Sequence, residues 1–67
     1  MIKVRLLREN KEKFIEYSRG LKIEDILESL GYSSETAVVK RNGKISIEDE
    51  YIEDNDELLI IPVISGG

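Results

Sequence analysis

The spacing of apolar residues changes twice along this chain, so one fold must accommodate both strands and a helix. "MIKVRLL" (1–7) alternates apolar and polar residues, which is typical of a strand with one buried face. Its apolar side consists of Ile2, Val4 and Leu6. After a polar turn at 8–13, "KFIEYS" (13–18) is rich in aromatic and β-branched residues and predicts a second strand. We therefore expect an opening hairpin, with Asn10 as the residue best suited to positive φ in its turn.

The middle of the chain has the spacing of a helix. Its apolar residues recur at i, i+3, i+4 and i+7, at Ile23, Ile26, Leu27 and Leu30. Gly31 follows this stripe at the position where a glycine commonly ends a helix. Lys22 occupies the expected N-cap, although a serine, threonine or aspartate would be more favourable there. A helix this short is not stable alone in water, so we expect it to pack across a sheet.

The last third of the chain predicts two further strands. "TAVVKR" (36–41) is the first of them, and it leads into "NG" (42–43), the strongest short turn signal in the sequence. "DND" (54–56) predicts another turn, in which Asn55 adopts the left-handed conformation that glycine usually fills. "ELLIIPV" (57–63) then forms the final strand. Its apolar residues on both faces predict either a central strand covered on both sides or an exposed apolar face.

The segment from Lys44 to Tyr51 has no regular period. Its apolar residues are expected to anchor this connection to the core, and they are Ile45, Ile47, Tyr51 and Ile52. Half of the fourteen acidic residues lie between Glu48 and Glu57, with no lysine or arginine among them. We interpret this run as a solvated loop. A metal site is disfavoured because the rest of a calcium-loop pattern is missing, and a docking surface for a basic patch is a third possibility.

The composition excludes several classes of protein and of site. The 67 residues contain no cysteine and no histidine, so disulfides and the usual zinc ligands are absent and no metal site is expected. The net charge is −4 and the basic residues are scattered, which is unlike a nucleic-acid-binding protein. No apolar stretch has the length of a membrane span, and the first residues lack the apolar region of a secretory signal. We expect a cytoplasmic protein without nucleic-acid or membrane partners.

The order strand, strand, helix, strand, connection, strand matches the β-grasp arrangement. This is an α+β fold, in which a mixed sheet of four to five strands carries one main helix on one face. The last strand is expected to lie in the middle of the sheet, parallel to the first. Pro62 cannot donate to a ladder and is expected to mark where the chain leaves the sheet. The predicted domain is therefore 1–64, followed by a flexible tail at 65–67.

On these features the whole chain resembles the ubiquitin-like sulfur carriers. That family includes the thiamine-pathway sulfur carrier and the small subunit of molybdopterin synthase. The resemblance rests on the helix "IEDILESL", the hairpin "VVKRNGKIS", the turn "DND" before "ELLIIPV", and the final "GG". Two positions depart from the family pattern: Lys22 replaces the usual cap, and Asn55 replaces the usual glycine of the acidic turn.

The resemblance implies a function that resides in the end of the chain. In the family, an ATP-dependent activating enzyme joins the terminal carboxylate to AMP, and a sulfur donor protein then displaces AMP to leave a thiocarboxylate. By resemblance Gly67 carries the sulfur, while Gly66 and Ser65 give the tail access to a narrow channel. The carrier is a substrate and not itself an enzyme, and it binds no cofactor of its own. The accepting synthase belongs to thiamine thiazole formation, molybdopterin formation or tRNA thiolation.

The outward side of the final strand is the predicted docking surface for these partners. The register of ubiquitin-like folds, counted back from the two glycines, implies that Leu58 and Ile60 face the helix. Leu59 and Ile61 then point away from it, with Val63 at the strand exit. The alternative is that the 44–52 connection merely covers them. Two other functions stay open at this point: a protein modifier joined through Gly67 to lysines of other proteins, and a passive ubiquitin-like binding module.

Overall fold

Residues 1–63, which the computed structural model describes, form five strands and one helix. In chain order these are β1 (Ile2–Leu6), β2 (Lys11–Ile15), α1 (Ile23–Ser29), β3 (Ala37–Arg41), β4 (Lys44–Ser46) and β5 (Glu57–Pro62). The strands form one sheet in the order β2-β1-β5-β3-β4, in which only β1 and β5 are parallel. The predicted α+β, β-grasp architecture is confirmed. The predicted tail residues 65–67, together with residue 64, lie outside the described residues.

The opening hairpin is present, but its second strand begins and ends earlier than the predicted 13–18. A turn connects Leu6 directly to its cross-strand partner Lys11, with Asn10 at a φ of 52°. The register then pairs Ile2 with Ile15. Because β1 starts at Ile2, residues 16–18 have no strand beside them and leave the ladder.

The helix starts without a side-chain cap from Lys22. Instead, the Asp25 carboxylate accepts the backbone N–H of Lys22 at 2.9 Å. The N–H groups of Ile23 and Glu24 donate to the carbonyls of Glu50 and Glu48, at 3.0 and 3.1 Å. Because other parts of the chain satisfy these first-turn donors, the helix tolerates a lysine at its N-cap.

The helix ends at the predicted glycine. Gly31 has a φ of 82°, in the left-handed region where glycine is favoured. The N–H of Tyr32 donates to the carbonyl of Leu27 at 2.8 Å, and the N–H of Gly31 donates to that of Glu28 at 3.1 Å. These two bonds form a Schellman motif, which satisfies the last carbonyls of the helix.

The core lies between α1 and one face of the sheet. Its buried apolar residues are Ile2, Val4, Leu6, Ile23, Ile26, Leu27, Ala37, Val39, Ile52, Leu58 and Ile60. The inward side of β1 was predicted to be there, and so was the helix stripe, of which the fourth residue, Leu30, is only partly buried against the core. At about 25 cal/mol per Å² of apolar surface removed from water, these side chains are the main stabilising contribution that a chain without disulfides can make.

Only one of the four residues expected to anchor the 44–52 connection is buried. Ile52 is 2% exposed, whereas Ile45, Ile47 and Tyr51 are 70%, 63% and 60% exposed, so the prediction was wrong for those three. The reason is that β4 is an edge strand and the following residues are fixed by backbone bonds. The N–H of Ile52 donates to the carbonyl of Leu21 at 2.8 Å, which draws this one side chain under the helix.

The other two predicted asparagine turns, at Asn42 and Asn55, are confirmed as well. Asn42 and Gly43 have φ values of 51° and 86°, which is the type I′ geometry that matches the twist of the β3–β4 hairpin. Asn55 has a φ of 69° in the turn before β5. An asparagine tolerates this region better than most residues, so the family's usual glycine is not required at this position.

Candidate docking face and carboxyl-terminal exit

The central position of β5 gives its alternate residues two different environments. Leu58 and Ile60 are 2% and 1% exposed and face the core, as the register of ubiquitin-like folds implied. Leu59 and Ile61 point to the opposite side of the sheet and are half-buried. Val63, just after the strand, is 46% exposed.

Basic residues flank Leu59 on both neighbouring strands. In the register, Arg5 of β1 and Lys40 of β3 are the partners of Leu59. The same three residues, with Lys3 and Glu57, line a shallow depression on this side of the sheet. Lys3 forms a 3.0 Å ion pair with Glu12, and this hydrogen bond, followed by the charge of Glu12, raises the pKa of Lys3. No carboxylate of residues 1–63 forms an ion pair with Arg5 or Lys40.

The neighbours of Ile61 are apolar. Val38 is its partner on β3, and Leu7 lies on the β1 side, where its N–H donates to the carbonyl of Ile60 at 3.1 Å. Val38 is half-buried and Leu7 is 49% exposed. We define the outer face as the apolar residues Leu7, Val38, Leu59, Ile61 and Val63 with the flanking Arg5 and Lys40. Its apolar residues lie toward the end of β5, and its two basic residues lie on either side of Leu59.

The 44–52 connection does not lie over Leu59 and Ile61. Its backbone is bonded to the start of the helix through Glu48 and Glu50, and Tyr51 forms a bridge with Lys22. The ammonium of Lys22 also lies 5.2 Å from the centre of the Tyr51 ring. The connection therefore packs on the helix side, and the partial burial of the outer face comes from neighbouring side chains of the sheet.

Pro62 is the last residue of β5, and its missing N–H leaves no gap in the ladder. Even-numbered residues of β5 direct their backbone groups toward β1, as the bond from Leu7 to the carbonyl of Ile60 shows. By Pro62 the chain has passed the end of β1. On the other side the N–H of Val63 still donates to the carbonyl of Thr36 at 2.9 Å. The chain therefore leaves β1 at Pro62 but stays beside β3 for one further residue.

One member of the acidic run is buried, which corrects the interpretation of the whole run as a solvated loop. Asp56 is 6% exposed. Its carboxylate accepts hydrogen bonds from the Nε of Arg41 at 2.7 Å, the Nδ2 of Asn42 at 3.0 Å and the N–H of Glu53 at 2.8 Å. Burial raises the pKa of Asp56, but these hydrogen bonds and the charge of Arg41 outweigh it and lower the pKa below its usual value.

Residues 1–63 hold neither a metal-binding cluster nor a membrane-spanning helix. No group of three or more acidic side chains in this part of the chain is arranged to hold a metal ion. Its helix is not long and apolar enough to cross a membrane.

The predicted site residues fall into two groups. Leu59, Ile61 and Val63 lie together at the outer face, whereas Ser65, Gly66 and Gly67 lie outside the described residues. Sequence reasoning missed the basic flank. The signal is present in the sequence, because the alternation of "MIKVRLL" that buries Val4 directs Arg5 to the outward side of its strand. Parallel pairing of the first and last strands would have set it beside Leu59.

Comparison with models of protein families identifies the family of this chain. The model of the ThiS family matches residues 3–67, which include β1 from its second residue, the whole of the other four strands and the two final glycines. The chain belongs to the ThiS family. The predicted membership of a ubiquitin-like sulfur-carrier family is thereby confirmed, and the ThiS family is one of small carrier proteins and not of enzymes.

A comparison of structures supports the fold of this ThiS family member. The crystal structure of SAMP1 from Haloferax volcanii superposes with a TM-score of 0.75 and 22% sequence identity. The superposition covers 98% of this chain and 98% of SAMP1. At this identity the similarity shows the β-grasp, ubiquitin-like fold and not a shared activity.

Proposed function

We propose that this chain is a sulfur carrier whose Gly67 carboxylate is adenylated and then converted to a thiocarboxylate. The observation that carries the proposal is the ThiS family match, which extends through the Gly66–Gly67 pair. The thiocarboxylate donates its sulfur to an acceptor in thiamine thiazole formation, molybdopterin formation or tRNA thiolation. The chain itself acts as a substrate, and ATP is bound by the activating partner.

The chemistry explains why the reaction needs a partner enzyme. An α-carboxylate has a pKa of about 3.3–3.7, so at neutral pH it is ionised and a poor electrophile. Attack of the carboxylate on the α-phosphorus of ATP releases pyrophosphate and forms an acyl-adenylate. A sulfide equivalent from a sulfur donor protein then adds to the carbonyl and expels AMP. Glycines at 66 and 67 present no side chains to a narrow channel that leads to the nucleotide.

The outer face supports the proposal because it lies at the end of the strand that leads to Gly67. Val63 is the last described residue, and Leu59 and Ile61 lie immediately before it on the same side of the sheet. We propose that the activating enzyme contacts these apolar side chains, with acidic groups opposite Arg5 and Lys40. Such contacts would fix the origin of the tail relative to the nucleotide pocket.

The test is to reconstitute sulfur transfer to this chain with an enzyme that activates ThiS-family carriers, ATP and a sulfide source. Intact-mass analysis should show one oxygen replaced by sulfur, and fragmentation should assign it to Gly67. A variant with one residue added after Gly67 serves as the control. It should gain no sulfur, because one extended residue displaces the carboxylate by about 3.3 Å. Displacements of about 1 Å can already lower catalytic rates on the order of a hundredfold.

The outcome also separates this function from the alternatives. A protein modifier would be adenylated in the same way but would then be found in amide linkage to lysines of other proteins. A passive binding module would form neither an acyl-adenylate nor a thiocarboxylate. Absence of both species with several ThiS-type activating enzymes would contradict the proposal. The acceptor pathway is then identified by adding each candidate synthase to the isolated thiocarboxylate and following loss of its sulfur.

A further inference from the structure

A second apolar surface lies beside the helix, apart from Leu59 and Ile61. It is a groove between α1, β3 and the residues that follow β4. We call it the α1–β4 groove, and its principal lining residues are Ile23, Leu27, Ala37, Val39, Ile47 and Glu48. Ile47 follows the edge strand β4 and is 63% exposed, among the most exposed apolar side chains of residues 1–63. Exposed apolar side chains beside a sheet edge are unusual, because such edges are normally protected by charge.

The backbone of β3 is open toward this groove. The two-residue turn makes Arg41 and Lys44 a hydrogen-bonded pair, and the register repeats this at Val39 and Ser46. Odd-numbered residues of β3 therefore direct their N–H and C=O toward β4. The bond from the N–H of Val63 to the carbonyl of Thr36 agrees, because it places the even-numbered residues toward β5.

Ala37 is the odd-numbered residue that β4 does not reach. Continuing the register would pair it with Glu48, but β4 ends at Ser46. The carbonyl of Glu48 instead accepts the N–H of Glu24 at 3.1 Å. Ala37 is 5% exposed, and no other residue of 1–63 forms a hydrogen bond with its backbone on this side. The N–H and C=O of Ala37 therefore offer one hydrogen-bond donor and one acceptor to a ligand in this apolar groove.

The rim of the groove is acidic. Glu48 lines it directly, and Glu24 and Glu28 line the depression that continues from it past Leu27. No lysine or arginine lines either part within the described residues. The outer face differs, because Arg5 and Lys40 flank Leu59 and form no ion pair within residues 1–63, although Glu57 lines the same depression. The two surfaces therefore differ in the charge of the side chains around them.

We propose that the α1–β4 groove binds an extended segment of a partner protein, with apolar residues at alternate positions and lysine or arginine at its ends. The segment would pair with the open N–H and C=O of Ala37, as in strand addition to a sheet edge. Its apolar side chains would contact Ile47 and Leu27, and its cations would face Glu28 and Glu48. A second copy of this chain fits poorly, because it would bring two acidic rims together.

Selection from a random-peptide phage library on the full-length chain tests the predicted chemistry. Enriched peptides should carry β-branched residues at alternate positions between lysines or arginines. A synthetic copy of one of them is then titrated into the ¹⁵N-labelled full-length chain. The amide signals of Ala37 and Ile47 should shift more than that of Leu59. Hydrogen exchange at Ala37 should slow by about tenfold or more at saturation.

Two double variants distinguish peptide binding in the groove from non-specific attraction to the net charge of the chain. Glu28→Lys with Glu48→Lys reverses the rim and should weaken peptide binding by about tenfold. Glu9→Lys with Glu16→Lys changes the net charge equally at exposed positions away from the groove, and it should change the affinity by less than about twofold. Circular dichroism checks that both variants are folded.

Four results would overturn the proposal. These are a library that yields no binders, binders without basic ends, equal losses of affinity in the two double variants, or largest shifts at Leu59. A fifth contradicting result could come from sedimentation velocity. A dimer that dissociates on reversal of Glu28 and Glu48 would assign the groove to a second copy of the chain.

Discussion

The Nε of Arg41 donates a 2.7 Å hydrogen bond to the Oδ2 of Asp56, which joins the last residue of β3 to the residue before β5. Asn42 reinforces this link in both directions. Its Nδ2 donates to Asp56 at 3.0 Å, and its Oδ1 accepts the N–H of Glu57 at 2.9 Å. One buried carboxylate thus fixes where β5 begins relative to β3. This register determines which residues of β5 face outward.

Replacement of this carboxylate should therefore destabilise the fold. Asp56→Ala removes the acceptor of three hydrogen bonds, one of them from a guanidinium, and should lower the free energy of unfolding by about 2–3 kcal/mol. Asp49→Ala is the matched control, since Asp49 is an exposed member of the same acidic run and should change it by less than about 0.5 kcal/mol. Urea denaturation at pH 7 measures both. Equal small effects would show that the acidic run acts only as a solvated segment.

The same carboxylate predicts how stability depends on pH. The pKa of Asp56 is lowered in the folded chain from an ordinary value of 3.8, so the folded state favours the ionised form. Its contribution is fully present above pH 3.8 and is lost as the pH falls through the lower, folded-state pKa. The stability difference between the wild-type chain and Asp56→Asn should therefore shrink progressively below about pH 4. A difference that stays constant down to pH 2 would show that the charge of Asp56 is not what stabilises the fold.

Leu27 tests the assignment of the helix stripe. It is 2% exposed between the helix and the sheet, and Leu27→Ala should cost about 2–5 kcal/mol of unfolding free energy. Leu7→Ala removes the same atoms from a side chain that is 49% exposed and should cost less than about 1 kcal/mol. Thermal and urea unfolding of the two variants provide the comparison. A nearly neutral Leu27→Ala would mean that the stripe does not face the core.

Most of the fold could be predicted from the sequence because its signals were local. The alternation around Val4, the stripe around Leu27 and the Asn42–Gly43 turn each depend on a few consecutive residues. The early end of β2 could not be predicted in this way, since it depends on where the partner strand starts. The exposure of Ile47 depends similarly on backbone bonds from Glu24 and Ile23 to a distant segment.

The candidate site was predictable only in part for the same reason. Alternation together with the register of ubiquitin-like folds directed Leu59 and Ile61 outward, and the structure places them there. Nothing local to β5 indicates that Arg5 and Lys40 flank Leu59, because they come from two different strands. The burial of Asp56 was likewise hidden in an acidic run, since its cationic partner lies fifteen residues away at Arg41.

Deletion of Gly66 and Gly67 should separate stability from function. The buried apolar core of the described residues lies between Ile2 and Ile60, so we expect an unchanged melting temperature. The truncated chain should form no thiocarboxylate when it is incubated with an activating enzyme, ATP and a sulfide source. Calorimetry and intact-mass analysis provide the two measurements. A melting temperature several degrees lower would show that the final residues contribute to packing.

The outer face should matter for binding of the activating enzyme more than for folding. Leu59→Ser with Ile61→Ser removes two half-buried side chains that point away from the core, so the chain should remain folded with a modest loss of stability. Centrally placed apolar residues commonly dominate an interface, so we expect affinity for the activating enzyme to fall by about a hundredfold.

Phe14→Ser is the control, because Phe14 is 64% exposed on the edge strand β2, beside Lys3 and away from Ile61. It should change the affinity by less than about threefold, as expected for a residue outside the centre of the contact. Isothermal titration calorimetry measures the affinities, and circular dichroism checks the fold. Unfolding of the double variant would assign Leu59 and Ile61 to the core, and an equal loss of affinity with Phe14→Ser would place the contact elsewhere on the sheet.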